Sequence, residues 1–227
     1  MRRLLIVVAC LLAAACTTTN TKTAMSVSAP EAGAVILIVK PDVELSMLTA
    51  VGVSENRADW SLSAASSLQT ALENQVKASS HTFRSVDPQE AMGDRTGQLM
   101  RLHEAVGASI LVFEYGGLRL PTKLAGFDWT LGEGAQALAQ EYGADYALFT
   151  FARGNYASSG RVATALVMAA VGVGVPMGGQ QLFTSLVDLR TGQIIWFNFG
   201  VAGAHADMRE VSGATTLMGE MFADAPL

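Results

Sequence analysis

His103 and Glu104 open the stretch "HEAVG", which begins like HExxH, the helical pattern in which two histidines four apart hold zinc and the glutamate activates water. Position 107 is glycine, so the second ligand is missing and no metal site is expected. His81, His103 and His205 are scattered and are expected at ordinary surface or helix positions. Ser158 and Ser159 in "YASSGR" have no base nearby in sequence and suit a turn. Gly172, Gly174, Gly178 and Gly179 have the composition of a phosphate loop, but they precede a strand rather than joining strand to helix. Asp128, Asp145 and Asp188 lie beside or within apolar segments. Two of them could converge for general acid–base work. Caps, turn bonds or pairs with Arg153 or Arg190 account for them more simply. Trp60, Trp129 and Trp196 are expected as core or interface anchors rather than as a ligand cage. With no GxSxG or SxxK pattern either, the expectation is a protein without catalytic residues, metal or cofactor.

Cysteine is the remaining reactive type, and both copies, Cys10 and Cys16, fall in the first 16 residues. The body of the chain therefore has no cysteine nucleophile, ligand or disulfide. Residues 1–16 read "MRRLLIVVACLLAAAC": two arginines, an apolar stretch from Leu4 to Leu12, then small residues. That is the order of a secretory signal, and it is too short for a stable span. Ala13, Ala14 and Ala15 before Cys16 resemble the lipobox of bacterial lipoproteins, with alanine at the position usually held by leucine. The resemblance implies a signal peptide at 1–15 and acylation of Cys16 by palmitate-type chains on sulfur and amine. Thr17 stands where an inner-membrane retention signal would carry Asp, which implies the outer membrane, periplasmic face. Residues 16–33 are Thr/Ser-rich without hydrophobic period and are expected to form a lipidated flexible tether. Residues 34–227 are then a single periplasmic domain.

Half of the 227 residues are hydrophobic and 15% are charged, enough for a sizeable core. Loss of Arg2 and Arg3 with the signal takes the 15 basic residues to 13, against 20 acidic ones. No Lys/Arg cluster is present, so nucleic acid is an unsuitable partner.

The elements that would position these residues alternate between strand and helix. "AVILIV" at 34–39 suits a strand buried on both faces, ended by Pro41. Residues 58–78 carry Ala64, Ala65, Leu68, Ala71, Leu72 and Val76 at helical spacing. A short strand at 82–86 precedes a helix over about 94–115 with Leu99, Leu102, Val106, Ile110 and Phe113 on one face. After a loop at 118–130, Thr130 and Glu133 form a capping-box pattern for a helix to Tyr142, with Gly143 past its end. Strands are expected at 144–151, 182–189 and 193–199, the last two joined by a short turn at Gly192. A last helix runs over about 207–222. The fold class is α/β: one mixed sheet with helices packed on it.

Residues 162–187 contain no charge. The apolar part, 162–177, is broken by Gly172, Gly174 and Pro176 and is too short for a simple transmembrane helix. The leading expectation is a buried helix covering the sheet. An oligomer interface is the second, because Ala165 and Ala169, then Ala170, Gly174 and Gly178, repeat small residues every four positions. Insertion into lipid after assembly is the third.

"EYGADYALFTFARGNY" followed by "SLVDLRTGQIIWF" resembles a pattern in periplasmic lipoproteins of the CsgG-like, LpoB-like and TolB N-terminal type. The matching positions are Gly143, Ala144, Asp145, Tyr146, Asp188, Thr191, Gly192 and Trp196. They span a helix end, a central strand, a tight turn and an aromatic on the next strand, so the resemblance implies a fold more than an activity. It implies a non-enzymatic, lipid-anchored accessory or assembly protein in envelope biogenesis or secretion, acting through an envelope partner or as a homo-oligomer. The alternatives are an oligomeric secretion-pore component and a periplasmic hydrolase using the acidic residues. CsgG-like pores insert alternating β-hairpins, whereas 162–177 has helical character.

Overall fold

The computed structural model describes residues 17–25, 28–88 and 95–227. The expected signal and Cys16 lie outside the described residues. The body is one mixed sheet of eight strands between helices, as the alternating pattern predicts. The sheet is built on β6 (Tyr146–Ala157), a 12-residue strand. On one side it pairs antiparallel with β7 (Gly178–Asp188), which pairs with β8 (Ile194–Ala202). On its other side two strands share its length. β2 (Val35–Val39) runs parallel to its first half and β3 (Asp42–Leu48) to its second. Pro41 lies between them, where a residue without an N–H breaks the ladder. β5 (Thr82–Val86) lies outside β2, and β4 (Ser54–Asn56) outside β3.

Strand side chains alternate between two apolar layers. Ile36, Ile38, Leu148, Leu182, Leu186 and Trp196 face α1 (Ala58–Ala78) and α5 (Val211–Met221). Leu37, Val39, Phe149, Phe183, Val187 and Phe197 face α2 (Arg95–Ile110) and α3 (Gln136–Tyr142). The six apolar α1 positions expected from spacing are its six buried ones.

Three local readings change. The buried face of α2 includes Leu99, Met100, His103, Gly107 and Ile110, while Leu102 is exposed. Gly107 lets the helix approach Phe183 closely, since a Cβ there would come within 2.7 Å of its ring. The Thr130–Glu133 capping box does not form. The Thr130 hydroxyl accepts from the Gly132 N–H (2.8 Å) and donates to the Gly192 carbonyl (3.1 Å), bracing the β7–β8 turn instead. Thr18–Thr23, expected in a tether, form β1, which adds antiparallel to the edge of β8. Threonine is a good strand former, and an edge strand needs no apolar period. The strand is held by Tyr115, whose hydroxyl donates to the Asn20 carbonyl (2.8 Å), and by Thr17, whose hydroxyl accepts from the Gly203 N–H (3.1 Å).

Candidate functional site

Both faces of the sheet are covered, and that decides where the uncharged run goes. α4 (Ser159–Ala170) follows β6 directly, and β7 begins at Gly178 paired with Tyr156. The connection therefore projects beyond the end of the ladder, where neither helical layer reaches it. None of its helical residues is buried, which corrects the expectation of a helix covering the sheet.

α4 nevertheless has a well-defined start and stop. The Arg161 N–H donates to the Ser158 hydroxyl (3.1 Å), so Ser158 is an N-cap rather than a plain turn residue. At the other end Val173 N–H reaches the Met168 carbonyl and Gly172 N–H the Ala169 carbonyl, which is a Schellman stop. The chain then returns through 173–177. Arg161 ties this return and the β3–β4 hairpin to the helix: its Nε donates to the Pro176 carbonyl (3.1 Å) and its Nη1 to the Ala50 carbonyl (3.5 Å).

The result is an apolar end that no other described residue covers. Leu166 is 69% exposed, Val167 68% and Val171 72%, and across from them on the hairpin tip Val51 is 83% and Val53 58% exposed. Val162, Val173 and Met177 are also exposed. Arg161 is the one charge between Arg153 and Asp188, and residues 49–54 carry none. Exposed large apolar side chains gathered at one end of a fold are candidates for a contact surface. Val51 and Val53 were missed from sequence; "TAVGV" between two alternating segments is the hairpin signal that carried them.

The five small residues considered for an interface divide. Ala165 and Ala169 lie on α4, the first half-buried and the second exposed. Ala170 is exposed at its end. Gly174 and Gly178 lie beyond the helix, so the four-residue spacing does not continue as one helical stripe. Gly178 answers to the fold: its φ is 90°, and a Cβ there would come 2.0 Å from the Asn155 carbonyl oxygen.

The fold-motif residues gather at the opposite end of the sheet. Gly143 takes the left-handed conformation after α3 (φ 58°, ψ 45°). Asp145 accepts from the Val35 N–H at 2.8 Å, joining the start of β6 to β2. Asp188 accepts from the backbone N–H and the guanidinium of Arg190, at 2.8 and 3.3 Å. Burial, then the charges of Asp188 and Asp145, hold the Tyr146 hydroxyl above its ordinary range. Gly192 has φ 76° at the turn, and Trp196 is fully buried against Phe222. Asp128 is not with them; its carboxylate is exposed, 3.9 Å from the Lys123 ammonium. Asp145 and Asp188 thus share one cleft, with their carboxylates engaged in turn and strand bonds.

A second hollow of about 290 Å³ lies between α1, α2 and the β2–β3 junction. Two ion pairs flank it: Lys40 with Asp87 at 2.5 Å, and Asp42 with Arg153 at 3.0 Å. Beneath it His103 is fully buried, not a surface residue. It stacks on Phe149 (4.0 Å between ring centroids) and its Nε2 shares a 2.5 Å hydrogen bond with the Ser185 hydroxyl. Burial pushes its pKa down to about 3, so it is a neutral core residue at physiological pH. Among the described residues no group of three or more His, Cys, Asp or Glu is placed to hold a metal ion.

Trp129 is also core, donating to Glu114 at 3.0 Å, whereas Trp60 is half-buried with the Arg57 and Arg209 guanidiniums over its ring at 4.0 and 4.9 Å.

No family model and no curated protein sequence matches the chain. Among solved structures it is similar to the PelC dodecamer from Paraburkholderia phytofirmans, at 14% identity and a TM-score of 0.44, covering 91% of this chain and 95% of that one. It is also similar to the LpoB C-terminal domain from Salmonella enterica, at 20% identity and a TM-score of 0.30, covering 79% and 87%. The lipoprotein GNA1162 from Neisseria meningitidis is similar at 13% identity and a TM-score of 0.35, covering 84% and 93%.

Proposed function

We propose that this protein is a lipid-anchored accessory or assembly protein of the bacterial envelope, acting by contact rather than catalysis. In this reading Cys16 carries the acyl chains and the body faces the periplasm from the outer membrane. Envelope proteins or further copies of the chain are its partners. The observation that carries the reading is the apolar end formed by α4, 171–177 and the hairpin tip, a surface for attachment within the envelope rather than a catalytic cleft, which no other described residue covers. Burying large apolar side chains favours association by about 25 cal/mol per Å² removed from water. Ala165, Ala169, Ala170 and Gly174 belong to this attachment surface, while Gly178 serves the fold. The engaged carboxylates of Asp145 and Asp188 support an accessory role over a hydrolase. The helical form of residues 159–170 supports it over a pore built from β-hairpins.

The test is envelope fractionation of the wild type and Cys16→Ser, with mass spectrometry of the mature N-terminus and photo-crosslinking from exposed positions in cells. Acyl chains on Cys16, loss of membrane retention in the variant and discrete crosslinked envelope proteins are expected. Retention of Cys16→Ser with no fatty acid on the wild type sinks the reading.

A further inference from the structure

The place where the chain enters the sheet orients the apolar end. Thr17 is the residue directly after Cys16, and it is already docked on Gly203. Thr18 pairs with Val201, Val201 with Gln181, and Gln181 with Arg153. Thr17 and Thr18 therefore enter the fold at the end of the sheet where β6 finishes and α4 begins. β6 continues past that row to Ala157, about 13 Å at 3.3 Å per residue, before α4 starts. Consecutive Cα atoms are about 3.8 Å apart, so acyl chains on Cys16 leave almost no slack between lipid and sheet. An anchor this short holds the α4 end against the surface that receives the chains.

Resting on the reading that Cys16 is acylated, we propose that the occupant of the apolar end is that bilayer surface. α4, the 171–177 return and the tip at Val51 and Val53 lie in the interfacial layer of the leaflet. At 12 residues α4 is about 18 Å long, short of the ~30 Å hydrocarbon core, so it lies on the membrane rather than crossing it. These three segments carry no acid, and their one base, Arg161, is turned to the carbonyls of Pro176 and Ala50; the nearby acids Glu220 and Asp207 are paired with His205 and Arg209. Attachment is therefore apolar, and it is insensitive to salt and to anionic lipid content. A second copy on α4 would have to displace this contact at the very end the anchor holds to lipid.

The test uses the full mature lipoprotein carrying Val167→Cys or, at the opposite end of the sheet, Ala32→Cys. Each is labelled with an environment-sensitive fluorophore. The proteins are reconstituted into phosphatidylethanolamine/phosphatidylglycerol vesicles with brominated acyl chains. Expected are a blue-shifted emission and several-fold stronger bromine quenching at 167 than at 32, both unchanged in high salt. Adding Leu166→Glu should lower the quenching at 167 while the acyl chains keep the protein on the vesicle. Equal quenching at the two positions, with Cys16 shown by mass spectrometry to be acylated, overturns the orientation alone. Efficient disulfide formation between copies through Ala169→Cys on the vesicles overturns it in favour of a second copy. An unacylated Cys16 overturns both the anchor and this inference.

Discussion

At residue 103 an imidazole sits between phenylalanines with no charge to balance a proton, and the energetic consequence has a definite sign. Its folded pKa of about 3 lies below the ordinary value of 6.5, so between these limits the unfolded chain binds the extra proton. The stabilisation is complete above pH 6.5 and is lost as pH falls toward 3. By pH 5 the loss is about 2 kcal/mol, at 1.36 kcal/mol per unit. Urea unfolding at pH 7.5 and 5 should show it, and His103→Gln should flatten the slope whatever it does to the baseline. Glycine positions give a second contrast. Gly192→Ala places a methyl group 2.1 Å from the Gly132 carbonyl oxygen in a positive-φ turn. It should cost more than about 1 kcal/mol in the same assay. Gly174→Ala meets open space and should stay within about 0.5 kcal/mol of the wild type.

Among the elements, α4 separates a core helix from a contact helix by stability alone. A buried leucine exchanged for alanine costs about 2–5 kcal/mol, and a buried unpaired charge costs more. Leu166→Glu on this exposed helix should leave the unfolding midpoint of the detergent-free body nearly unchanged, within about 0.5 kcal/mol. The same assay on Leu68→Ala, fully buried in α1, should show the large loss. The sequence was most informative where one residue type dominated a period. The α1 stripe, the β2 run and the Gly192 hairpin could all be read directly, because burial imposes apolar residues at 3.6- or 2-residue spacing. β1, β3 and β4 could not. β1 is a polar edge strand, β4 has three residues, and β3 ("DVELSML") is only partly buried. The uncharged run was visible as apolar, but its placement was not. Apolarity states that a segment avoids water; whether the chain itself covers it depends on how many layers are already full.

For the whole molecule, the proposed anchor at Cys16 and the apolar end would reinforce each other through geometry. If the body were held only by a loose leash, its rotation would leave α4 facing solvent most of the time. Lengthening the connection tests this. Inserting a Gly/Ser segment of about ten residues between Cys16 and Thr18 adds a flexible reach of roughly 17 Å, at 5–6 Å times the square root of length. It should weaken quenching at a labelled position 167 without releasing the protein from vesicles. The pairing of Thr18 with Val201 also has a temporal meaning. The first strand of the chain has no partner until almost the entire polypeptide has followed it. Such long-range pairings form late, because loop closure over most of the chain must precede them. The edge of the sheet is thus completed only once nearly the whole chain is available, and in the proposed lipoprotein the seating of the body against its leaflet would be the closing step of its maturation.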